Sequence, residues 1–333
     1  MRIFITGTAG FIGYHLAEQL LAAGHSVSGY DALTDYYDPS LKADRESRLR
    51  RHPGFSTTAA RLEDSDALER AVAAAAPEII VHLAAQAGVR HSLDNPRAYL
   101  QSNIVGSFNL LEAARKARPR HLLLASTSSV YGANPMLPYS EGDRTDHPLT
   151  LYAASKKSME SMAHSSAHLW SLPTTCMRLF TVYGPWGRPD MAPFAFVSSI
   201  LAGRRIDIYG DGDMARDFTY VDDVVAAIGK LIVVPPALGQ PAGGSDSLSP
   251  AAPWRVVNLG GGRPVALLDF VAAIEKAVGR PAIRRLLPMQ KGDVRRTAAD
   301  TKMLRGLIGD VPETPIESGV AAFVAWYRDY YRV

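Results

Sequence analysis

The sequence predicts an α/β protein built on a doubly wound parallel sheet, with a smaller α/β lobe towards the C-terminus. Three observations predict this class. A glycine-rich turn joins the first apolar segment to the first helical pattern, short apolar segments then alternate with helical patterns as far as residue 180, and the later pattern is irregular and rich in proline. Such alternation favours parallel strands, because each parallel crossover needs room for a helix.

The first strand and the first helix are joined by three regularly spaced glycines. Residues 2–6 are apolar, and residues 14–23 have apolar positions at helical spacing. Between them, Gly7, Gly10 and Gly13 form the pattern Gly-x-x-Gly-x-x-Gly. In such turns the first glycine makes the bend, the second lets the backbone approach a pyrophosphate, and the third lets the helix lie close to the strand. Because a helix N-terminus attracts phosphate, we predict a Rossmann-type dinucleotide site.

The second predicted strand, residues 26–30, ends at Asp31. A carboxylate at this point of a Rossmann domain accepts hydrogen bonds from the adenosine ribose and disfavours the extra phosphate of NADP. Asp31 therefore predicts NAD as the cofactor, and the alternative is an aspartate that only closes a turn. Residues 35–50 are polar and predict a loop that leads into a short helix.

The remaining elements follow from apolar runs and helical spacing. We predict further buried strands at 55–59, 78–83, 121–126 and 174–180, with helices near 64–76, 97–117 and 150–169. Beyond residue 180, Pro185, Pro189 and Pro193 interrupt the pattern, residues 234–253 predict a long loop, and helices are expected near 267–278 and 316–331. We therefore place a nucleotide-binding domain at 1–180 and a second lobe at 181–333, with some later segments returning to the first domain.

Composition and charge describe an ordinary globular chain. Hydrophobic residues make up 47% of the 333 residues, charged residues 21%, and the net charge is +3. The arginine pairs at 204–205, 284–285 and 295–296 are scattered, which argues against nucleic-acid binding. No apolar run reaches the ~20 residues that span a bilayer, and no signal peptide is evident. Because the single cysteine, Cys176, cannot form an internal disulfide, we expect a cytoplasmic protein without membrane contact.

The segment Leu151–Lys157 contains a pair of side chains suited to acid–base chemistry. Tyr152 and Lys156 are four residues apart, so a helix places them on one face, one turn apart. A phenol ordinarily ionises near pH ~10, and a nearby ammonium group favours the phenolate, so the tyrosine can act as a base. The same spacing also arises by chance on helix surfaces. The nine histidines show no spacing typical of metal ligands, and no metal site is predicted.

Several motifs, spread over nearly the whole chain, are far more specific together than each is alone. The general ones are Gly7-x-x-Gly10-x-x-Gly13, Asp31, His82-Leu-Ala-Ala85, Ser126-Thr127, Tyr131-Gly132 and Tyr152-x-x-x-Lys156. Together they resemble the extended short-chain dehydrogenase/reductase family. Within that family the chain is most similar to the UDP-glucuronate 4-epimerases, on the stretches Asp35–Lys42, Ala87–Arg90, Thr127–Gly132, Phe180–Met191 and Arg216–Asp222.

This resemblance implies an enzyme that holds NAD tightly and interconverts UDP-glucuronate and UDP-galacturonate through a transient 4-keto intermediate. It implies Tyr152 as the base, Lys156 as its activator and Thr127 as a hydroxyl bonded to the same sugar oxygen. The cofactor-binding residues that it implies are Gly7, Gly10, Phe11, Ile12, Gly13, Asp31, Leu62, Ala84, Tyr152 and Lys156. It further implies a C-terminal lobe that holds the UDP-sugar, and a homodimer paired through the helices near 97–117 and 150–169.

The implied substrate site distinguishes the subclass. Ser128 and Ser129 follow Thr127, where the resembling dehydratases carry an Asp-Glu pair and related decarboxylases a Glu. Neither serine can remove the carbon 5 proton, but both can donate hydrogen bonds to a carboxylate. Arg188 suits bidentate binding of a carboxylate, although a surface arginine fits the sequence equally well. The implied substrate residues are Arg90, Ser128, Ser129, Thr181, Arg188, Arg216 (pyrophosphate) and Asp293 (uridine ribose).

Two positions depart from the pattern of the family. Arg61 stands where relatives usually carry an Asp that contacts adenine, and Arg295 stands where relatives tend to have Pro after Gly-Asp-Val. Three alternatives to the uronate epimerase stay open. A UDP-glucose/galactose 4-epimerase and a UDP-glucuronate decarboxylase share the fold, and a non-catalytic NAD-sensing protein is the more remote alternative.

Overall fold

A seven-stranded parallel sheet forms the centre of the molecule, and the computed structural model describes residues 1–333. The strands of the protein are β1 (Arg2–Thr6), β2 (Ser26–Asp31), β3 (Phe55–Ala59), β4 (Ile79–His82), β5 (His121–Thr127), β6 (Thr174–Leu179), β7 (Thr181–Tyr183), β8 (Arg205–Tyr209), β9 (Ala215–Tyr220), β10 (Trp254–Leu259), β11 (Pro264–Ala266) and β12 (Ile283–Leu287). The large sheet has the order β10-β6-β5-β4-β1-β2-β3. Because the winding direction reverses between β1 and β4, the carboxyl ends of these strands open a crevice for ligands. The predicted doubly wound fold is confirmed.

Helices cover both faces of this sheet. The helices are α1 (Phe11–Ala22), α2 (Pro39–Leu49), α3 (Ser65–Ala75), α4 (His91–Asp94), α5 (Pro96–Tyr99), α6 (Gly106–Ala117), α7 (Leu151–Trp170), α8 (Ala192–Leu201), α9 (Val221–Leu231), α10 (Leu267–Val278), α11 (Lys302–Ile308) and α12 (Ile316–Tyr331), with a π-helical turn at Leu100–Val105. One apolar core joins the sheet to α1, α9 and α11, and another joins it to α3, α6 and α7. Central strands are therefore apolar on both sides, as parallel sheets require. Cys176 lies buried in the second core as a free thiol.

The strand at residues 55–59 differs from its prediction. β3 is an edge strand that pairs only with β2, and Ser56, Thr58 and Ala59 are exposed. The strand is present where the sequence predicts it, but the prediction that it is buried is wrong. Its polar residues face solvent because no further strand or helix covers this edge.

The second lobe has its own small sheets and an aromatic core. β7, β9 and β11 form one sheet, and β8 pairs with β12. The core between these sheets and helices α8, α10 and α12 includes Phe194, Phe218, Phe270, Phe323 and Tyr327. Three segments beyond residue 181 pack in the layers of the large sheet: α9 contacts α1, β10 pairs with β6, and α11 contacts β10. The division into 1–180 and 181–333 remains a proposal. No helix is both long and apolar enough to cross a bilayer.

Candidate active site

Every residue proposed for catalysis, cofactor binding or substrate binding lines one cavity. The cavity has a volume of about 860 Å³. The large sheet contributes the glycine turn and the carboxyl ends of β2, β4 and β5 to its walls, and the second lobe contributes residues of α8, β8 and the segment 292–294. The fold therefore joins residues from the two ends of the chain in one site.

The glycine turn has the geometry that its sequence predicts. Gly7 has a φ of +84°, and a Cβ at this position would lie 2.7 Å from the nitrogen of Ala84. A Cβ on Gly13 would lie 2.0 Å from the carbonyl oxygen of Gly7, so only glycine lets α1 start this close to β1. The backbone N–H groups of Phe11, Ile12 and Gly13 have no acceptor within the protein and lie at the cavity wall. They are free to donate to a phosphate.

The carboxylate of Asp31 is held at the end of β2. Its Oδ2 accepts a hydrogen bond from the amide of Ala9 (3.0 Å), and its Oδ1 accepts one from the amide of Leu33 (2.9 Å). Burial raises the pKa of Asp31, while these amides and the charge of Lys42 act in the opposite direction. Asp31 therefore closes a turn, which is the alternative to ribose binding that the sequence leaves open. Each oxygen keeps a second lone pair that can accept a ribose hydroxyl.

The wall near β3 and β4 completes a surface that fits a dinucleotide. Leu62 is buried and packs against Gly106, while the exposed Arg61 lies beside it at the cavity wall. The amide of Ala84 donates to the hydroxyl of Thr6 at 3.1 Å, which ties the end of β4 to β1. The crevice is thus lined by the unpaired amides of the glycine turn, the carboxylate of Asp31 and the apolar side chain of Leu62. These groups match the pyrophosphate, the ribose and the adenine of NAD respectively.

The proposed catalytic residues face the cavity from α7 and from the end of β5. Burial raises the pKa of Tyr152 above its ordinary value of 10, whereas the hydroxyl of Thr127 and the charge of Arg188 act to lower it. Burial also lowers the pKa of Lys156, to about 8. The ammonium group of Lys156 donates to the carbonyl oxygen of Ala125 at 2.8 Å, which anchors it against β5.

Lys156 is anchored by the backbone of the large sheet. Its spacing places it on the same face as Tyr152, but its ammonium group is directed to a backbone carbonyl of β5. Thr127 and Arg188 also favour the phenolate. Arg188 is 36 positions from Tyr152 in sequence, and the loop after β7 brings it to the same cavity.

A buried ion pair fixes the position of α7, the helix that carries Tyr152 and Lys156. Glu160 on α7 accepts hydrogen bonds from Nε and Nη2 of Arg178 on β6, at 3.0 and 2.9 Å. Its Oε1 also accepts the hydroxyl of Ser126 at 2.6 Å. Both charged side chains are almost fully buried. The pair therefore ties α7, which carries Tyr152, to β6 and to the end of β5, where Thr127 lies.

Hydroxyl groups gather where the sugar is expected. Thr127 Oγ1 accepts the amide of Ser129 and donates to the Ser129 hydroxyl, both at 3.2 Å. The threonine thus closes a turn and still lines the cavity. Ser128 follows Thr127 in a short 3-10 turn. Thr181 is the first residue of β7 and lines the same cavity.

Arg188 lies inside the site and is already paired. Its Nε donates to Oδ1 of Asp190 at 3.0 Å, and its Nη2 donates to Oδ2 at 2.5 Å. Tyr36 donates from its hydroxyl to the same Oδ2 at 3.1 Å. Burial alone would lower the pKa of Arg188. The charge and hydrogen bonds of Asp190 outweigh burial and raise the pKa above its ordinary value. The surface location considered for Arg188 does not hold.

The proposed nucleotide residues cluster where Arg90 of the first domain meets the second lobe. Arg90 approaches Asp293 with 3.4 Å between Nη2 and Oδ2, and its guanidinium carbon lies 4.6 Å from the ring centre of Tyr209. Arg216 donates from Nη1 to the carbonyl oxygens of Ala215 and Arg295, both at 3.0 Å. Burial lowers the pKa of Arg216, opposed by the charge of Asp293. Two cations and one carboxylate thus lie close together, as a diphosphate and a ribose require.

Three residues that organise the site were not predicted from the sequence. Asp190 and Tyr36 lie within the motifs used for comparison, but no role was assigned to them. Arg45 of α2 is fully buried and donates to the carbonyl oxygen of Ala9 (2.8 Å) in the glycine turn and to that of Trp186 (2.5 Å) in the loop before Arg188. A signal was available for Arg45, since it stands on the apolar stripe between Leu41 and Leu49.

A tyrosine and a lysine on one helix, facing a crevice that fits a dinucleotide, are the means by which short-chain dehydrogenases act on alcohols. The fold and the site therefore define an NAD-dependent enzyme of the extended short-chain dehydrogenase class. Comparison with known proteins gives the family directly. The chain belongs to the NAD dependent epimerase/dehydratase family, whose model matches residues 3–240.

Three relatives show where in the family the chain lies. It is 58% identical to "Probable UDP-glucuronate 4-epimerase" of Rhizobium meliloti (strain 1021), over 100% of this chain and 98% of that one. The UDP-glucuronic acid 4-epimerase from Bacillus cereus, solved with UDP-glucuronic acid and NAD, is 29% identical with a TM-score of 0.89, over 99% and 100% of the two chains. The UDP-glucose 4-epimerase of Thermotoga maritima, solved with UDP-glucose, is also 29% identical, with a TM-score of 0.86 over 99% and 100%.

Proposed function

We propose that this protein is a UDP-glucuronate 4-epimerase, which interconverts UDP-glucuronate and UDP-galacturonate through a 4-keto intermediate. The observation that carries this proposal is the set of groups beside the catalytic tyrosine. Ser128, Ser129, Thr181 and Arg188 line the same cavity as Tyr152, and no acid follows Thr127. The 58% identity with the Rhizobium meliloti relative supports the same choice.

The side chains divide the chemistry between them. NAD, when bound, accepts a hydride from carbon 4 and returns it. Tyr152 takes the proton of the carbon 4 hydroxyl and later gives it back, which is general base and then general acid catalysis. The hydroxyl of Thr127 donates to the same oxygen and stabilises its developing negative charge. Lys156, held by Ala125, keeps a positive charge beside the nicotinamide ribose.

The same site disfavours the competing reactions of related enzymes. Water elimination requires an acid and a base at carbons 5 and 6, and the serines at 128 and 129 supply neither. The oxidised sugar is a β-keto acid, which loses carbon dioxide when its carboxylate stands perpendicular to the ketone. We assign Ser128, Ser129, Thr181 and Arg188 to holding the carboxylate out of that orientation by hydrogen bonds.

The nucleotide half of the substrate is assigned to the second lobe together with Arg90 of the first domain. Arg216 and Arg90 provide the positive charge for the diphosphate, and Asp293 provides a carboxylate for the uridine ribose hydroxyls. Their mutual proximity supports this assignment, since Arg90 lies 3.4 Å from Asp293. Arg216 already donates to two backbone carbonyls, which fixes its position before substrate arrives.

We also infer that the enzyme is a homodimer in the cytoplasm. The segment from α4 to α6 exposes Leu93, Leu100, Val105 and Phe108, each at least 45% accessible, and Leu149 and Leu169 are exposed at the two ends of α7. Large apolar side chains concentrated on one set of helices are typical of an interface between subunits. The single, buried, reduced cysteine supports the cytoplasmic location.

One experiment tests the proposed activity. The purified protein is incubated with UDP-glucuronate, and the products are resolved by chromatography and mass spectrometry. We expect UDP-galacturonate of unchanged mass. Release of carbon dioxide with a UDP-pentose would indicate the decarboxylase, turnover of UDP-glucose but not of UDP-glucuronate would indicate the neutral-sugar epimerase, and bound NAD without any turnover would indicate a sensing protein.

A further inference from the structure

The ion pair between Arg188 and Asp190 is a feature that the proposed reaction leaves unexplained. The residue assigned to the substrate carboxylate already carries a carboxylate of its own, bound to its Nε–Nη2 edge. The two N–H groups of Nη1 and the second N–H of Nη2 donate to no protein atom, and the two side chains are 20% and 23% exposed. If the sole purpose of Arg188 were a strong grip on the substrate, Asp190 would oppose it, because like charges repel.

Asp190 is held firmly in this arrangement. Proline stands between it and Arg188, and its fixed φ makes the spacing of the two side chains rigid. Tyr36, from the loop before α2, donates to Asp190 at 3.1 Å, and its ring centre lies 5.9 Å from the guanidinium carbon. Arg45 binds the carbonyl oxygens of Trp186 and Gly187 and so fixes the backbone that precedes Arg188. The carboxylate therefore stays on its edge of the guanidinium.

We propose that Asp190 is a positioning residue that weakens the grip of Arg188 on the substrate: it occupies the Nε–Nη2 edge and repels the uronate carboxylate at the remaining Nη1 end of the guanidinium, so that the keto sugar can turn over within the site. This inference rests on the proposed function. Epimerisation at carbon 4 requires the sugar to present its opposite face between the loss and the return of the hydride. Without the charge of Asp190, Arg188 would hold the uronate carboxylate more strongly and would oppose this movement of the sugar.

The kinetic consequence depends on whether tighter binding by Arg188 stabilises the bound sugar or the state in which the sugar ring turns. A tighter grip on the bound sugar lowers its free energy, but the grip has to be released before the ring turns. The energy gained in binding is then added to the barrier, so kcat and KM fall together while kcat/KM stays nearly constant. An unpaired Arg188 would thus bind UDP-glucuronate better and turn it over more slowly.

The test is Asp190→Asn, which keeps the shape of the side chain and removes its charge. We expect KM for UDP-glucuronate to fall roughly two- to fivefold, the range for a partly exposed ion pair, with a similar fall in kcat. In the inactive Tyr152→Phe background, calorimetry should show tighter binding of UDP-glucuronate and unchanged binding of UDP-glucose. Asp190→Ala should change both constants in the same direction. The matched control is Asp146→Asn, which breaks an Arg-x-Asp pair of the same spacing on the surface, outside the cavity.

A double-mutant cycle separates positioning from general support of the loop. In an Arg188→Ala background, Asp190→Asn should change KM by less than about twofold, because the residue through which it acts is gone. The inference is overturned if KM for UDP-glucuronate rises or stays constant in Asp190→Asn, if UDP-glucose binding changes equally, or if the effect persists without Arg188. Failure of the proposed function is distinguishable, because it is seen in the wild-type protein as absence of UDP-glucuronate turnover.

Discussion

At the scale of single residues, the chemistry depends on how burial and charge oppose each other at Tyr152. Burial alone disfavours the phenolate, and the two groups that favour it approach from β5 and from the loop after β7. Tyr99 contributes a second ring, 6.0 Å away, with no charge at neutral pH. Tyr152 therefore depends on chain segments that bring Thr127 and Arg188 into the same cavity.

Replacing Tyr152 by Phe removes only the oxygen that accepts the proton. We expect kcat to fall by roughly 100- to 10,000-fold, the usual contribution of a positioned acid–base group, while UDP still binds. Steady-state kinetics and calorimetry with UDP measure the two effects. Near-normal turnover in this variant would remove Tyr152 from the mechanism.

Replacing Arg188 by Ala should shift the pH dependence of kcat/KM. Loss of a cation beside the phenol raises the pKa of Tyr152, and the base must be unprotonated, so the limb on the acid side moves to higher pH. UDP-glucuronate should bind less tightly, and a larger share of UDP-pentose should form because the carboxylate is less restrained. Arg144→Ala, which removes an exposed arginine paired with Asp146, serves as the control. An unshifted limb with wild-type product ratios would place Arg188 outside the reaction.

Asp31 determines the choice between NAD and NADP in our assignment. Asp31→Ala should weaken NAD binding and reduce the discrimination against NADP, because the ribose hydroxyls lose their acceptor and the extra phosphate loses a repelling charge. Titration of the apoprotein with each dinucleotide measures both changes. Since Asp31 also accepts from Ala9 and Leu33, some loss of turn stability is expected as well. Equal losses of affinity for the two dinucleotides would leave Asp31 with the turn function alone.

At the scale of elements, the buried pair Glu160–Arg178 joins α7 to β6. Glu160→Gln leaves a buried guanidinium without its counter-charge, so we expect the free energy of unfolding to fall by roughly 3–5 kcal/mol. Denaturant unfolding measures this loss. The control Glu69→Gln breaks the exposed pair with Lys116 and should cost at most about 1 kcal/mol. Similar losses in both variants would contradict the role given to the buried pair.

The same pair predicts how stability depends on pH. Burial would raise the pKa of Glu160, but the charge and hydrogen bonds of Arg178 lower it below its ordinary 4.5. A carboxyl group with a depressed folded pKa contributes stability above the unfolded value and loses it as the pH falls through the folded value. Glu160 should therefore contribute its full stabilisation at neutral pH and lose it in acid. In Glu160→Gln, this acid-dependent loss should be smaller than in the wild-type protein.

At the scale of the whole molecule, the apolar face of α4 to α6 and the ends of α7 predict an association of two subunits. Phe108 is 52% exposed and points away from the core of its own subunit. Phe108→Glu would bury a charge at the interface, so we expect the dimer to dissociate in light-scattering measurements while the monomer keeps its fold. Thr58→Glu, on the exposed edge strand β3, is the matched control and should leave the mass unchanged. A wild-type protein of monomeric mass would refute the dimer.

The sequence alone determined the order of the elements, the glycine turn, Asp31 and the Tyr152–Lys156 face, because these features depend on local spacing along the chain. Spacing cannot show which distant groups share a cavity or where a buried charge finds its partner. Only the tertiary structure therefore revealed that β3 lies at an edge, that Lys156 is held by Ala125, and that Arg188 lines the same cavity as Tyr152. The pairing of Arg188 with Asp190 also depended on the folded loop, since hydrogen-bond direction is set by packing and not by sequence separation.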